Sequence, residues 1–296
     1  MNSMIYKQKA PLLFFLVPAF LFLSIFLYYP FIQNIINSFL NISGLGTVAT
    51  AGNDPWYINY VTMFKDPHMI TALKNTLILT LTTIIFQVGI ALGLALLVDR
   101  AKVGAQVFRT IFFFPIVISA TALGLMFNLV FLYNGGMLNQ LLQNVFGTTQ
   151  SIDWKDMEHY LGTMLTPIMW QYVGFYFVII VTGLNGILPE LYEAAEIDGA
   201  DGFKCTRYIT LPLIRNVLCT CLVLAITGAL KVFDLPWVMM GAGIPMDQSW
   251  LTGTYMYNQA FLRGDVDYSS AIAVVIVVLG VVLAQLTNKV FKQRDY

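Results

Sequence analysis

The sequence predicts an all-α membrane protein with six transmembrane helices, and three observations carry that prediction. Hydrophobic residues make up 58% of the 296-residue chain, charged residues only 11%, and the mean hydropathy is +0.72. Soluble domains carry about 25% charged residues, so too little polar surface remains to cover a body in water. The apolar residues also fall in continuous runs near the ~20 residues that a helix needs to cross a bilayer. Barrel strands would instead alternate apolar and polar positions, whereas a helix satisfies its own backbone in lipid.

The first run, about Leu12 to Tyr29, follows Lys7 and Lys9, which resemble the basic start of a signal peptide. The apolar stretch is long and no small-x-small cleavage site follows it, so a retained helix is expected. The second run spans about Thr76 to Val98, the third Ile111 to Phe131 and the fourth Gly162 to Leu184. The fifth spans about Val217 to Leu235 and the sixth Ala271 to Leu286. Lys231 falls inside the fifth on this reading.

Orientation follows from Lys and Arg near the helix ends. One side collects Lys7, Lys9, Arg100, Lys102, Arg109, Lys204, Arg207, Arg215, Lys289, Lys292 and Arg294; the other has Lys65, Lys74, Lys155 and Arg263. The first side is expected to be cytoplasmic, with both termini on it. Outward loops hold turn formers and aromatic anchors, among them Pro55 and Trp56, Gly135 and Trp154, and Gly241, Gly243, Pro245 and Trp250. The formal net charge is zero, which gives no electrostatic case for nucleic acid. Cys205, Cys219 and Cys221 have no metal-ligand spacing with His68 or His159. No metal site is expected, and the pair in the apolar stretch reads as small buried hydrophobes.

One inward segment is long, residues 185–214, NGILPELYEAAEIDGADGFKCTRYITLPLI. Pro189 suits the first turn of a helix, and Glu190 and Glu193 place negative charge near its positive end. Leu191, Ala194, Ala195 and Ile197 recur at helical spacing. Gly199 offers the left-handed conformation that ends helices, and Pro212 begins the fifth crossing. The expected element is a short amphipathic helix lying along the membrane. Helices that bind lipid headgroups favour Lys and Arg on the polar face. This one is acidic and has a small-residue face, which suits close docking in a protein cleft.

Glu193-Ala194-Ala195, two further residues, Asp198-Gly199-Ala200, and then Ile209-Thr210-Leu211-Pro212 resemble the EAA loop of permease subunits of binding-protein-dependent ABC importers. Three residues alone would carry nothing; the extended pattern in the single long inward loop is specific. The resemblance runs along most of the chain and is nearest the carbohydrate-uptake branch, the maltose and glycerol-phosphate type. It continues through Leu73-Lys74-Asn75-Thr76, Phe114-Pro115, Trp170-Gln171-Tyr172-Val173-Gly174, Lys231-Val232-Phe233-Asp234 and Ser270-Ala271-Ile272-Ala273. Thr206 and Asn216 depart from the pattern, standing where an aromatic residue and a second proline are usual.

The resemblance implies a single permease domain over residues 1–296, with a core of about 70–290 and a coupling loop at 185–215. It implies that Glu193 pairs with a polar or basic group on a cytoplasmic ATPase, that Ala194 and Ala195 allow close approach, that Gly199 permits the turn, and that Asp198 hydrogen-bonds the turn backbone; Ala200 belongs to the same coupling set. ATP and magnesium would sit on that separate ATPase dimer. This chain has no G-x-x-x-x-G-K-[ST] phosphate loop, and no cofactor of its own is expected. The implied partners are a second permease subunit, the ATPase dimer, an extracytoplasmic solute-binding protein and the lipid bilayer, in a bacterial-type cell membrane.

Ionisable groups within a membrane are functional candidates, which singles out Lys231 and Asp234, three residues apart on one helix face. Asn128, Gln87, Gln171 and Asn185 are polar groups on or near crossings, and Trp170, Tyr172, Phe175 and Tyr176 lie close in sequence. Sugars take hydroxyl hydrogen bonds and aromatic stacking. Equally, Lys231 and Asp234 make a local ion pair near the interface, and membrane helices use Asn and Gln to grip one another. Two other classes stay open: an ion-coupled carrier working alone, which would show internal repeats, and a membrane-embedded enzyme, which would need a clustered metal site or an activated nucleophile.

Overall fold

The structure, a computed structural model, describes residues 9–42, 44–47, 51–100, 105–148 and 150–291. Lys7, Lys102, Lys292 and Arg294 lie outside the described residues, as do the side chains of Lys9 and Arg100, so the charge count over those positions has no structural counterpart.

Helices dominate. In chain order they are α1 (Leu13–Asn37), α2 (Ile58–Lys65), α3 (Pro67–Asp99), α4 (Ala105–Val117), α5 (Ala120–Val130) and α6 (Met137–Phe146). There follow α7 (Tyr160–Leu184), α8 (Pro189–Ile197), α9 (Gly202–Leu213), α10 (Arg215–Leu230), α11 (Asp234–Met240), α12 (Thr252–Tyr257) and α13 (Val266–Phe291). Two-residue strands at Leu40–Asn41 and Ala51–Gly52 pair antiparallel. Among the described residues, α1, α3, α7 and α13 are each long and apolar enough to cross a membrane unaided. Two bent pairs would bring the number to six: α4 with α5, at 93°, and α9 with α10, at 67°.

The expected third run is therefore corrected from one continuous helix to two, and the expected fifth from a helix reaching Leu235 to one ending at Leu230 with a break ahead of it, each for a local reason. Within α4, Pro115 removes a backbone donor and loosens the helix end. Four residues on, Ser119 turns extended (ψ 142°) and its hydroxyl accepts the Ala122 N–H at 3.2 Å, starting α5 afresh. The fifth segment breaks at Ile214, after Pro212, so its long arm begins at Arg215. That arm ends at Leu230, which places Lys231 past the helix rather than inside it. The chain restarts as α11 at Asp234.

The chain divides into two compact units. The first holds residues 1–65 and 256–275. Within it the Asn59 amide donates to Ser38 O (3.1 Å) and Asp267 Oδ2 (3.2 Å), and the Gly44 N–H donates to Gly264 O at 2.8 Å. The second unit holds residues 66–255 and 276–296 and contains two apolar clusters. Val88, Ala91, Ala95, Phe177, Ile180 and Cys221 belong to one; Leu79, Leu123, Met164, Leu235 and Leu251 belong to the other.

Glycines set the tightest approaches here. A Cβ on Gly174 would stand 1.7 Å from the Phe112 carbonyl, so α4 and α7 lie backbone to backbone. At Gly243, a Cβ would meet the Trp250 ring at 2.5 Å. Trp250 is only 2% exposed and is packed under that turn, which corrects its expected role as an interfacial anchor.

Candidate functional site: a polar cavity and a displayed short helix

Along α3, residues Thr83–Val88 wind as a π-helix, a form that recurs at functional sites. This segment carries Gln87, which is 2% exposed and donates to the Ile168 carbonyl of α7 at 2.7 Å. One turn further along α7, Gln171 donates to the Ile118 carbonyl at the α4–α5 break, 3.3 Å away. The two amides face a cavity of about 360 Å³, walled also by Tyr172, Tyr176, Lys231 and Asp234. An apolar floor with a few fixed polar groups is the ordinary make-up of a small-molecule site.

Of the sequence-derived pathway residues, the structure brings Tyr172, Lys231 and Asp234 to this cavity and leaves Asn128 and Trp170 elsewhere. Lys231 and Asp234 do not share a helix face, because the chain breaks between them, and among the described residues no ion pair joins them. Trp170 lines a separate apolar groove with Phe86, Phe112 and Pro115, and its ring packs edge-on to Phe127 at 5.9 Å.

Asn128 ties α5 to α11 by donating to Val238 O (3.1 Å), while its own oxygen accepts from Lys155 (2.8 Å). Lys155 also donates to Met239 O at 2.9 Å, and its burial lowers its pKa below the ordinary lysine value. Sequence reading gave Lys155 only a place in a side-assignment. Nothing in its neighbours reveals the bond to α11, since its partners lie 27 and 84 residues away.

The short helix forms as the sequence predicts. Pro189 opens α8 with Glu190 in its first turn. Its end is a Schellman closure: Gly199 turns left-handed (φ +76°) and its N–H donates to Glu196 O (3.1 Å), while Ala200 N donates to Ala195 O (2.9 Å). The carboxylate that bonds the turn backbone is Asp201, accepting Lys204 N at 2.8 Å, and not Asp198, which closes the helix through its own N–H. Ala195 is buried, and Tyr192 is half-buried with its hydroxyl 3.4 Å from that of Thr210. Glu193, Ala194 and Asp198 are exposed, and Ile197 (86% exposed) and Phe203 (74%) stand out as apolar groups. The expected stripe of Leu191, Ala194, Ala195 and Ile197 is thus split between a seat on the protein and a displayed surface.

Bilayer-length helices, a small cavity with fixed polar groups and a folded short helix with an exposed acidic face fit a transporter membrane subunit. Residues 87–294 match the family described as "Binding-protein-dependent transport system inner membrane component", and the chain belongs to that family. It is 32% identical to "Probable ABC transporter permease protein YurN" of Bacillus subtilis (strain 168), over 98% of each chain. It is 29% identical to "Sulfoquinovosyl glycerol transport system permease protein SmoG" of Agrobacterium fabrum, over 95% of this chain and 90% of the relative. It shares a fold with a chain of the bacterial alginate ABC transporter solved with a pentasaccharide-bound periplasmic protein (TM-score 0.82, 22% identity, 98% of both chains). The chain is an ABC importer permease and a multi-pass inner-membrane component.

Proposed function

We propose that this permease moves a sugar or short oligosaccharide inward by alternating access, driven by ATP hydrolysis on a separate subunit. The observation that carries the reading is α8, an acidic, Schellman-closed helix whose outer residues are exposed among the described residues. Glu193, Ala194, Asp198 and Gly199 would form the surface that enters a groove on a cytoplasmic ATPase, with buried Ala195 seating the helix behind them and half-buried Ala200 closing its turn. The displayed apolar side chains would supply contact area, and Glu193 a charge for a basic or polar partner. ATP and magnesium would sit on the ATPase dimer. A second permease would complete the pore, and an extracytoplasmic solute-binding protein would deliver cargo. The whole chain would be one permease domain of six crossings, each bent pair counting once, with α8 and both termini on the cytoplasmic side.

Support for a sugar comes from the cavity. Amide oxygens on Gln87 and Gln171 and the faces of Tyr172 and Phe175 suit hydroxyls and a sugar ring. The relatives' names point the same way. The chain would be co-expressed with its candidate partners and purified by its own tag, and ATPase activity measured with and without loaded binding protein. The native complex should hydrolyse ATP on stimulation. The double variant Glu193→Lys, Gly199→Asp should lose that stimulation or shed the ATPase while keeping its melting profile. A chain that never retains an ATPase, or a double variant indistinguishable from native, would overturn the assignment.

A further inference from the structure

We propose that Gln171 is a positioning residue that couples occupancy of the cavity to the α4–α5 elbow; the inference rests on the importer reading above. A glutamine in an apolar helix needs a partner, and Gln171, 5% exposed, finds it at the elbow. The Ile118 carbonyl is one that the break releases. In an unbroken helix the Ala122 N–H would reach it, but Ser119 Oγ has taken that N–H at 3.2 Å. The Gln171 amide, at 3.3 Å, stands in for the lost helix bond.

The same side chain is cavity wall, and among the described residues its Oε1 has no hydrogen-bond partner. Gln87 supplies the contrast. Its amide is held by a shorter bond, 2.7 Å, to Ile168 O, a carbonyl inside the continuous helix α7. Losing the Gln87 bond strips the cavity of one polar group and leaves every helix as it was. Losing the Gln171 bond leaves a carbonyl at the elbow without a donor.

A hydroxylated solute is both donor and acceptor. Its hydroxyl meets the open Oε1 of Gln171, and a neighbouring oxygen then competes for the amide that holds the elbow. Empty and filled cavities thereby favour different elbow angles, which is the differential interaction that a ligand needs to shift a two-state equilibrium.

The test uses the full complex in vesicles: this chain, its partner permease, the ATPase and the binding protein. Solute-free ATP hydrolysis and the solute dependence of uptake are both read. Gln171→Met keeps length and removes the donor. Solute-free hydrolysis should rise about fivefold, the weight of one hydrogen bond in the gate equilibrium, while maximal uptake per ATP falls. Gln87→Met should raise KM, and any rise it causes in solute-free hydrolysis should be well below that of Gln171→Met. Gln171→Glu, neutral when buried, regains a donor; it should run near native at pH 6 and like the Met variant at pH 9. Equal behaviour of the two Met variants, or a Glu variant insensitive to pH, overturns the coupling. If Gln171→Met does not assemble, the pH response of the Glu variant decides alone. A native complex with no solute-stimulated hydrolysis would instead overturn the importer reading.

Discussion

At the scale of single residues, the close contacts make sharp demands. A methyl group at Gly174 has nowhere to go, because the obstacle is the Phe112 carbonyl and not the end of a flexible side chain. Gly174→Ala should cost about 1–3 kcal/mol through forced backbone shifts, seen as a lower melting temperature in detergent with the helical content unchanged. Lys155 makes a prediction about pH. Burial holds its folded pKa below the ~10.4 of an unfolded lysine. The stability it contributes is therefore present above the unfolded value and is lost as pH falls through the folded one. Melting temperatures of native protein and Lys155→Met, compared from pH 8 to 10.5, should diverge in favour of native as pH rises. A difference that stays flat would mean that the Lys155 amine is solvated rather than buried. Both residues were visible in the sequence, but neither role was, because each depends on a partner distant along the chain.

At the scale of elements, hydropathy located every apolar segment and misjudged two of their shapes. The break between α4 and α5 was written locally, in Pro115 and the Ser119 cap, yet a window of average hydropathy passes over it. The same averaging carried the fifth segment through Lys231, where the helix has already ended. Helix α8 was legible down to its terminator, because Pro189, Glu190 and Gly199 act through local geometry. Which of its faces is displayed was not legible, since that depends on what α8 rests against. Ile197 is 86% exposed, so Ile197→Asp should leave the fold within about 0.5 kcal/mol of native and weaken ATPase retention. Pull-down of the ATPase set beside a melting curve separates the two effects; a fall in melting temperature with retention intact would assign Ile197 to packing instead.

At the scale of the whole molecule, the membrane class followed from composition alone, since 11% charged residues leave no other solvent. The gathering of Gln87, Gln171, Tyr172, Lys231 and Asp234 around one space did not follow, because those residues come from three separate stretches of chain. A permease driven by a partner ATPase and a carrier driven by an ion gradient can share such a cavity. Uptake in vesicles should survive an ionophore that collapses ion gradients and stop when ATP is replaced by a non-hydrolysable analogue; the reverse pattern would overturn the proposed ATP drive.

The Gly174 contact also has a mechanical meaning. An arm whose backbone lies against its neighbour's backbone is a splint: it cannot roll or slide without opening a void that nothing nearby can fill. The α4 arm is splinted to α7 in this way, and the α5 arm beyond Ser119 is not. If the elbow flexes, the motion is one-sided, with Ile118 and Ser119 as the fixed pivot and α5, with the α11 helix bonded to it through Asn128, as the part that swings.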